Sequence, residues 1–166
     1  MPGIVGFISK NFNPPELNLN AMLDTMRYGR AQVIESYVEK QVNLGCVHLG
    51  KGGQKALYQS DQAVVIFFGY LTQPNFPPGA DGNNPSAAAR YIHNLYLTHG
   101  EEVIQQVAGA FAFALWDKKT KILLLASDHL GLRPIYYTDY NGSFRFASEV
   151  KGILADSSFP HHLNFE

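Results

Sequence analysis

Four groups of residues in this 166-residue chain are of types and spacings that could do chemistry. Pro2 would become an amino-terminal secondary amine if Met1 were removed, and such an amine can act as a base in keto-acid isomerisation. With Met1 retained, that nitrogen is held in a peptide bond, and the ordinary role is a strand-opening proline, where no N–H is needed. Cys46 and His48 stand two apart, so on a strand they share a face. A cysteine beside a histidine can supply a thiolate nucleophile, although a lone strand cysteine is more commonly a small buried hydrophobe. Asp128-His129 offers an acid next to a base, but neighbours in an extended chain point apart, which favours a structural role. Gly50-Lys51-Gly52-Gly53 lacks the Gly-x-x-x-x-Gly-Lys-Ser/Thr spacing of a phosphate cradle and reads as a turn. None of the six histidines has the i, i+4 helical spacing of a zinc site, and His161-His162 lie in the tail, so no metal centre is expected.

The elements that must position these residues follow from periodicity. Gly3 to Phe7 is an apolar, β-branched run that reads as a buried strand. Asn18 is placed to cap a short helix whose Leu19, Met22, Leu23 and Met26 form one apolar face. Val33 to Val38, Val42 to His48 and Ala63 to Gly69 read as strands, and the Pro-, Gly- and Asn-rich stretch from Gln73 to Pro85 as a surface loop. Ser86 is expected to cap a helix reaching Thr98 and closed by Gly100, with Tyr91, Ile92, Leu95 and Tyr96 buried. A short helix from Glu101 to Val107 then leads into Gly109 to Trp116, where phenylalanines and alanines alternate and small residues on one face allow close approach of another layer. Ile122 to Ala126 completes a hairpin. A second hairpin pairs Ile135 to Tyr140 with Ser143 to Ala147 through Asn141-Gly142, a type I′ turn signal, and Ser148 is expected to cap a last helix. Helices that each need a sheet face, with many antiparallel strands, imply an α+β fold in which two stacked sheets lie between helical layers, αββα.

Bulk properties narrow the function classes. One domain of ordinary size is expected, and 46% apolar with 13% aromatic residues fills a core. A formal charge of -1 gives no electrostatic case for nucleic acid or an anionic membrane surface. No apolar run approaches a membrane span, and no signal-peptide pattern precedes the first strand, so the chain reads as cytoplasmic. The single cysteine excludes an internal disulfide.

Several stretches carry a more specific resemblance. Gly3 to Phe7 resembles the Met-Cys-Gly-Ile-Val-Gly-Phe with which glutaminase domains of the asparagine synthetase family (class II glutamine amidotransferases) begin, with Pro2 in the place of the cysteine. Gly109 to Asp117, Leu124 to Ala126, Asp128 to Tyr137 and Phe146 to Lys151 closely resemble the family's corresponding run, and Gly53-Gln54 and Leu57 extend the match. The resemblance implies a fold of the amino-terminal-nucleophile hydrolase type, in which a terminal cysteine attacks the glutamine carboxamide and its own α-amine serves as base. An amine titrating near 7.7 to 8.0 can take the thiol proton at neutral pH. Proline offers no thiol.

By the same resemblance, other functional positions depart. Gly29-Arg30-Ala31-Gln32 stands where the family has Arg-Gly-Pro-Asp. His48 stands where an arginine clamps the glutamine carboxylate, and a histidine lacks the bidentate fork. Phe68-Gly69-Tyr70 replaces the Asn-Gly-Glu that supplies oxyanion-hole donors, leaving one backbone N–H from Gly69, and Ala88 falls where an aspartate receives the substrate ammonium. The expectation is a degenerate site with no catalytic residue established, Cys46 being the remaining nucleophile candidate, and with Phe68 and Tyr70 placed to fill the old pocket. A contrasting expectation is a binding module in which Phe68, Tyr70, His48 and Tyr91 rebuild that pocket for another small molecule, which an open apolar cavity would favour. Residues 1–155 are expected to form the glutaminase-like domain and 156–166 the start of a linker to a synthetase domain acting in cis or in trans. Homo-oligomerisation is compatible with that arrangement. The implied ATP and Mg belong to the synthetase domain, with no cofactor in this one, and docking is expected to use apolar surface around Tyr136 and Tyr137.

Overall fold

A computed structural model describes residues 2–9, 18–29, 31–50, 54–72, 83–155 and 159. The first strand, β1 (Gly3–Ser9), sorts its side chains by period two: Ile4 faces a second sheet, while Val5 and Phe7 face helices. It is central in an antiparallel five-stranded sheet. β2 (Val33–Val38) and β3 (Val42–His48) lie on one side of it, and β9 (Ser143–Ala147) and β8 (Tyr136–Tyr140) on the other, in the order β2-β3-β1-β9-β8. The second sheet is also antiparallel, with β4 (Leu57–Gln59), β5 (Ala63–Leu71), β6 (Gly109–Asp117) and β7 (Leu123–Ser127) in chain order.

Three apolar layers hold the sandwich together. Helices α1 (Leu19–Met26) and α4 (Val150–Ile153) cover the five-stranded sheet, with Leu23 and Met26 sealed against Val5, Val47 and Ala147. On the opposite outer face α2 (Pro85–His99), a 3-10 turn (Gly100–Glu102) and α3 (Val103–Gln106) cover the four-stranded sheet. The alternation in β6 assigns its two faces: Phe111, Phe113 and Leu115 pack against α2, while Ala112 and Ala114 face the other sheet, beside Ile4, Cys46 and Trp116. Small side chains there let the sheets close on one another, as the sequence pattern implies. The α+β, αββα reading therefore holds, layer for layer.

Two capping expectations are corrected. Asn84, not Ser86, caps α2: its side chain accepts from Ser86 N and Ala87 N, and Pro85 occupies the first helical turn, where a missing N–H costs nothing. The Ser86 hydroxyl instead exchanges hydrogen bonds with the backbone of Lys55, at 2.7 Å in each direction. Ser148 likewise leaves α4 uncapped, because its hydroxyl accepts from Ile4 N and ties β1 to the end of β9. The short strand β4 is absent from the sequence reading, Tyr91 and Leu95 are only half-buried, and His93 joins the buried face of α2. Asn141 and Gly142 have φ of +50° and +71°, which agrees with the type I′ turn. Of the expected surface loop, residues 73–82 lie outside the described residues, as do Lys51 to Gly53, Arg30, His161-His162 and all of 156–166 except Phe159.

No described helix is long and apolar enough to cross a membrane. The described residues also contain no His, Cys, Asp or Glu cluster able to hold a metal ion.

Candidate functional site

The end of β3, the end of β5 and the residue before β1 converge on a cavity of about 250 Å³. Pro2 lines it from just before β1, His48, Leu49 and Gly50 from β3 and the residues after it, Gln54 from the approach to β4, and Phe67 to Tyr70 from β5. Asn83 and Pro85 close it from the start of α2, and Arg133 enters from the loop after β7. Thus Pro2, His48, Phe68, Gly69 and Tyr70, far apart in sequence, are neighbours. Two singled-out positions are elsewhere. Ala88 is fully buried one turn further along α2, between helix and sheet, where it lines no part of this cavity, and Tyr91 packs against the same layer.

Cys46 shares a strand face with His48, but that face turns inward. The thiol is 1% exposed in the core between the sheets, and burial, followed by the nearby Glu35 carboxylate, pushes its pKa far above the usual thiol range. A protonated, enclosed thiol is a packing group. His48 is also engaged internally: Nδ1 accepts from Gly50 N at 3.1 Å, and Nε2 lies 3.0 Å from Oε2 of Glu35 without aligning as a good hydrogen bond.

Glu35 was not singled out from sequence, because its partners come from two other segments, β3 and residues 56–57. It stands opposite Cys46 in the β2–β3 ladder, and its carboxylate accepts the backbone N–H groups of Ala56 and Leu57, which lead into β4 of the other sheet. Burial pushes the Glu35 pKa up, but His48 and these two N–H groups outweigh it, so the net shift is downward. Glu35 thereby ties β2 and the cavity residue His48 to the segment that leads into the other sheet.

The loop that carries Arg133 has its own anchor. Asp128 is buried and its carboxylate accepts from four backbone N–H groups, those of Phe111, Leu130, Leu132 and Arg133, at 3.0 to 3.3 Å. Burial raises its pKa and the four donors more than reverse that, leaving it lowered. His129 points out to solvent, so the Asp128-His129 pair is no acid–base couple. Arg133 itself stacks on Phe68, its guanidinium carbon 4.8 Å from the ring centroid. Gly69, beside that ring, has φ of +124°, and a Cβ there would meet the Ala110 carbonyl oxygen at 2.1 Å, so the strand end bordering the cavity requires glycine.

A second cleft of about 520 Å³ opens where the unpaired edges β7 and β8 diverge, lined by Ile8, Leu123, Leu125, Ile135, Tyr137 and Phe144. Tyr136 and Tyr137 are exposed beside it, at 45% and 70%.

Residues 85–166 match the family model described as glutamine amidotransferase domain. The chain is 29% identical over 170 residues to glutamine-hydrolyzing asparagine synthetase 3 of Bacillus subtilis, covering 93% of this chain and 28% of that protein. It is 32% identical over 124 residues to glutamine-hydrolyzing asparagine synthetase 2 of Arabidopsis thaliana, covering 65% of this chain and 20% of that one. The chain therefore spans between a fifth and a third of the length of these relatives. Among solved structures, glutamine phosphoribosylpyrophosphate amidotransferase of B. subtilis, complexed with ADP and GMP, superposes with a TM-score of 0.64 at 15% identity, over 92% of this chain and 43% of that one. At that identity the likeness is one of fold.

Proposed function

As a glutamine amidotransferase-type domain related to the asparagine synthetases, this chain would by resemblance release ammonia from glutamine; we propose that it does not, and that it serves an ATP-dependent, amide-forming ligase as a scaffold or docking domain. The observation that carries this reading is the make-up of the cavity. Its described lining contains no cysteine, serine, threonine, aspartate or glutamate, and Pro2 stands at the strand start. Loss of a nucleophile costs about 10⁶-fold and loss of one oxyanion donor about 10²- to 10³-fold, so losses at both positions leave no useful turnover. Cys46, enclosed between the sheets, offers no substitute.

In this reading ATP and Mg act in a synthetase domain, in cis or in trans, in the cytoplasm, and free ammonia or an internal amine is the nucleophile there. Exposed Tyr136 and Tyr137, beside the cleft between β7 and β8, suit docking onto that domain. A second reading, a small-molecule binding module, is favoured by one observation: Phe68 and Tyr70 do not fill the cavity.

The deciding experiment measures ammonia and glutamate release from glutamine by the purified chain and by a Pro2→Cys variant whose Met1 removal is verified by mass. Silence from both is the expected result. Ammonia from the unaltered chain overturns the proposal.

A further inference from the structure

Resting on the reading that glutamine is no longer the ligand, we propose that the Pro2 cavity binds a small monocarboxylate lacking an α-amino group, with Arg133 as its anchor. The Arg133 guanidinium faces the Phe68 ring and has no hydrogen-bond acceptor or ion-pair partner among the described residues, and its Nε is sealed from water without one. A cationic group left this way lacks the acceptor that such groups ordinarily have, and a carboxylate matches its planar donor set. The Phe68 ring holds the guanidinium by a cation–π contact, and Asp128 fixes the loop beneath it by holding the backbone N–H groups of Leu132 and Arg133. The donor is therefore preorganised, which lowers the cost of binding.

The rest of the wall selects the ligand. No aspartate or glutamate is among the described lining residues, so an α-ammonium group beside Phe67, Phe68 and Pro2 would meet the neutral amides of Gln54 and Asn83 but no carboxylate counter-charge among them. That disfavours glutamine and other amino acids. Arg133 is the single arginine or lysine in that lining, and His48 has both ring nitrogens turned to Gly50 and Glu35, so one negative charge is matched and the dianion of phosphate is not. The apolar and aromatic part of the wall, Pro2, Leu49, Phe67, Phe68 and Pro85, suits a flat or branched hydrocarbon body. A volume of about 250 Å³ limits it to a small metabolite, below the usual drug-sized range.

The test titrates the full chain at neutral pH with sodium benzoate, glutamine and inorganic phosphate, followed by ¹⁵N–¹H NMR. Benzoate is expected to give saturable shifts at the Gly50 and Gly69 amides and at the Arg133 Nε–H, with glutamine and phosphate giving none there. Arg133→Gln is expected to weaken benzoate by about 10- to 100-fold, the range for a lost charge-assisted contact. Benzoate shifts at the Leu125 and Tyr137 cleft instead, equal shifts from glutamine or phosphate, or unchanged affinity in a folded Arg133→Gln protein would each overturn the proposal. Should that variant fail to fold, the shift map of the unaltered chain decides alone. Failure here leaves the absence of glutaminase activity standing, because ammonia release reports that separately.

Discussion

Asp128 and Glu35 do similar work behind two cavity residues, Arg133 and His48: a single carboxylate ties its own segment to backbone N–H groups of another, Phe111 and the 130–133 loop for Asp128, Ala56 and Leu57 for Glu35. Asp128→Ala strands four donors, and its cost in chemical denaturation is expected to be about 3 kcal/mol. Its pH dependence has a definite sign. Because the folded pKa is lowered from 3.8, the carboxylate's contribution is complete above the unfolded value and declines as pH falls through the folded one. The stability gap between the unaltered chain and Asp128→Asn should thus be constant at neutral pH and narrow only below about pH 4. A gap unchanged down to pH 2 would contradict this assignment. Sequence made Asp128 visible as a structural residue and made Pro2, His48 and Phe68 visible as departures from a resembled motif. Glu35 and Arg133 stayed hidden for a physical reason: a carboxylate mid-strand and an arginine before a proline look like ordinary surface residues until tertiary folding supplies His48 and Phe68 as their neighbours.

Among the elements, strands and helices with strong periodicity were legible, and α1 with its Asn18 cap and the hairpin at Asn141-Gly142 emerge as read. Caps were less so, because Ser86 and Ser148 are good capping residues by type yet are claimed by distant backbone groups. The two roles separate experimentally. Asn84→Ala is expected to cost α2 about 1 kcal/mol, read by urea denaturation. Ser86→Ala should instead leave α2 intact and speed hydrogen exchange at the Lys55 amide, which donates to that hydroxyl. If Ser86→Ala destabilised the helix more than Asn84→Ala, the cap assignment would be reversed. β4 was missed since Leu57–Gln59 is three residues long, too short for alternation to register, and is defined by its pairing with β5.

At the scale of the molecule, Cys46 reports on the seam between the sheets. With the thiol buried and held protonated, a thiol reagent should label it only when that seam opens, and labelling should slow in step with added stability. Labelling as fast as a free peptide thiol would mean the layers are not closed as described. One further consequence comes from the position of β1. Its two ladder partners are residues 42–48 and residues 143–147, and the Ser148 hydroxyl secures Ile4 from 144 positions away. β1 is thus completed only once residues 143–148 are in place, and until then it is an apolar strand paired on one side alone. Closing so distant a ladder is slow, and refolding should be rate-limited by arrival of the β8–β9 hairpin. Truncation before Ser143 would leave one whole side of β1 unpaired and the shortened chain prone to self-association.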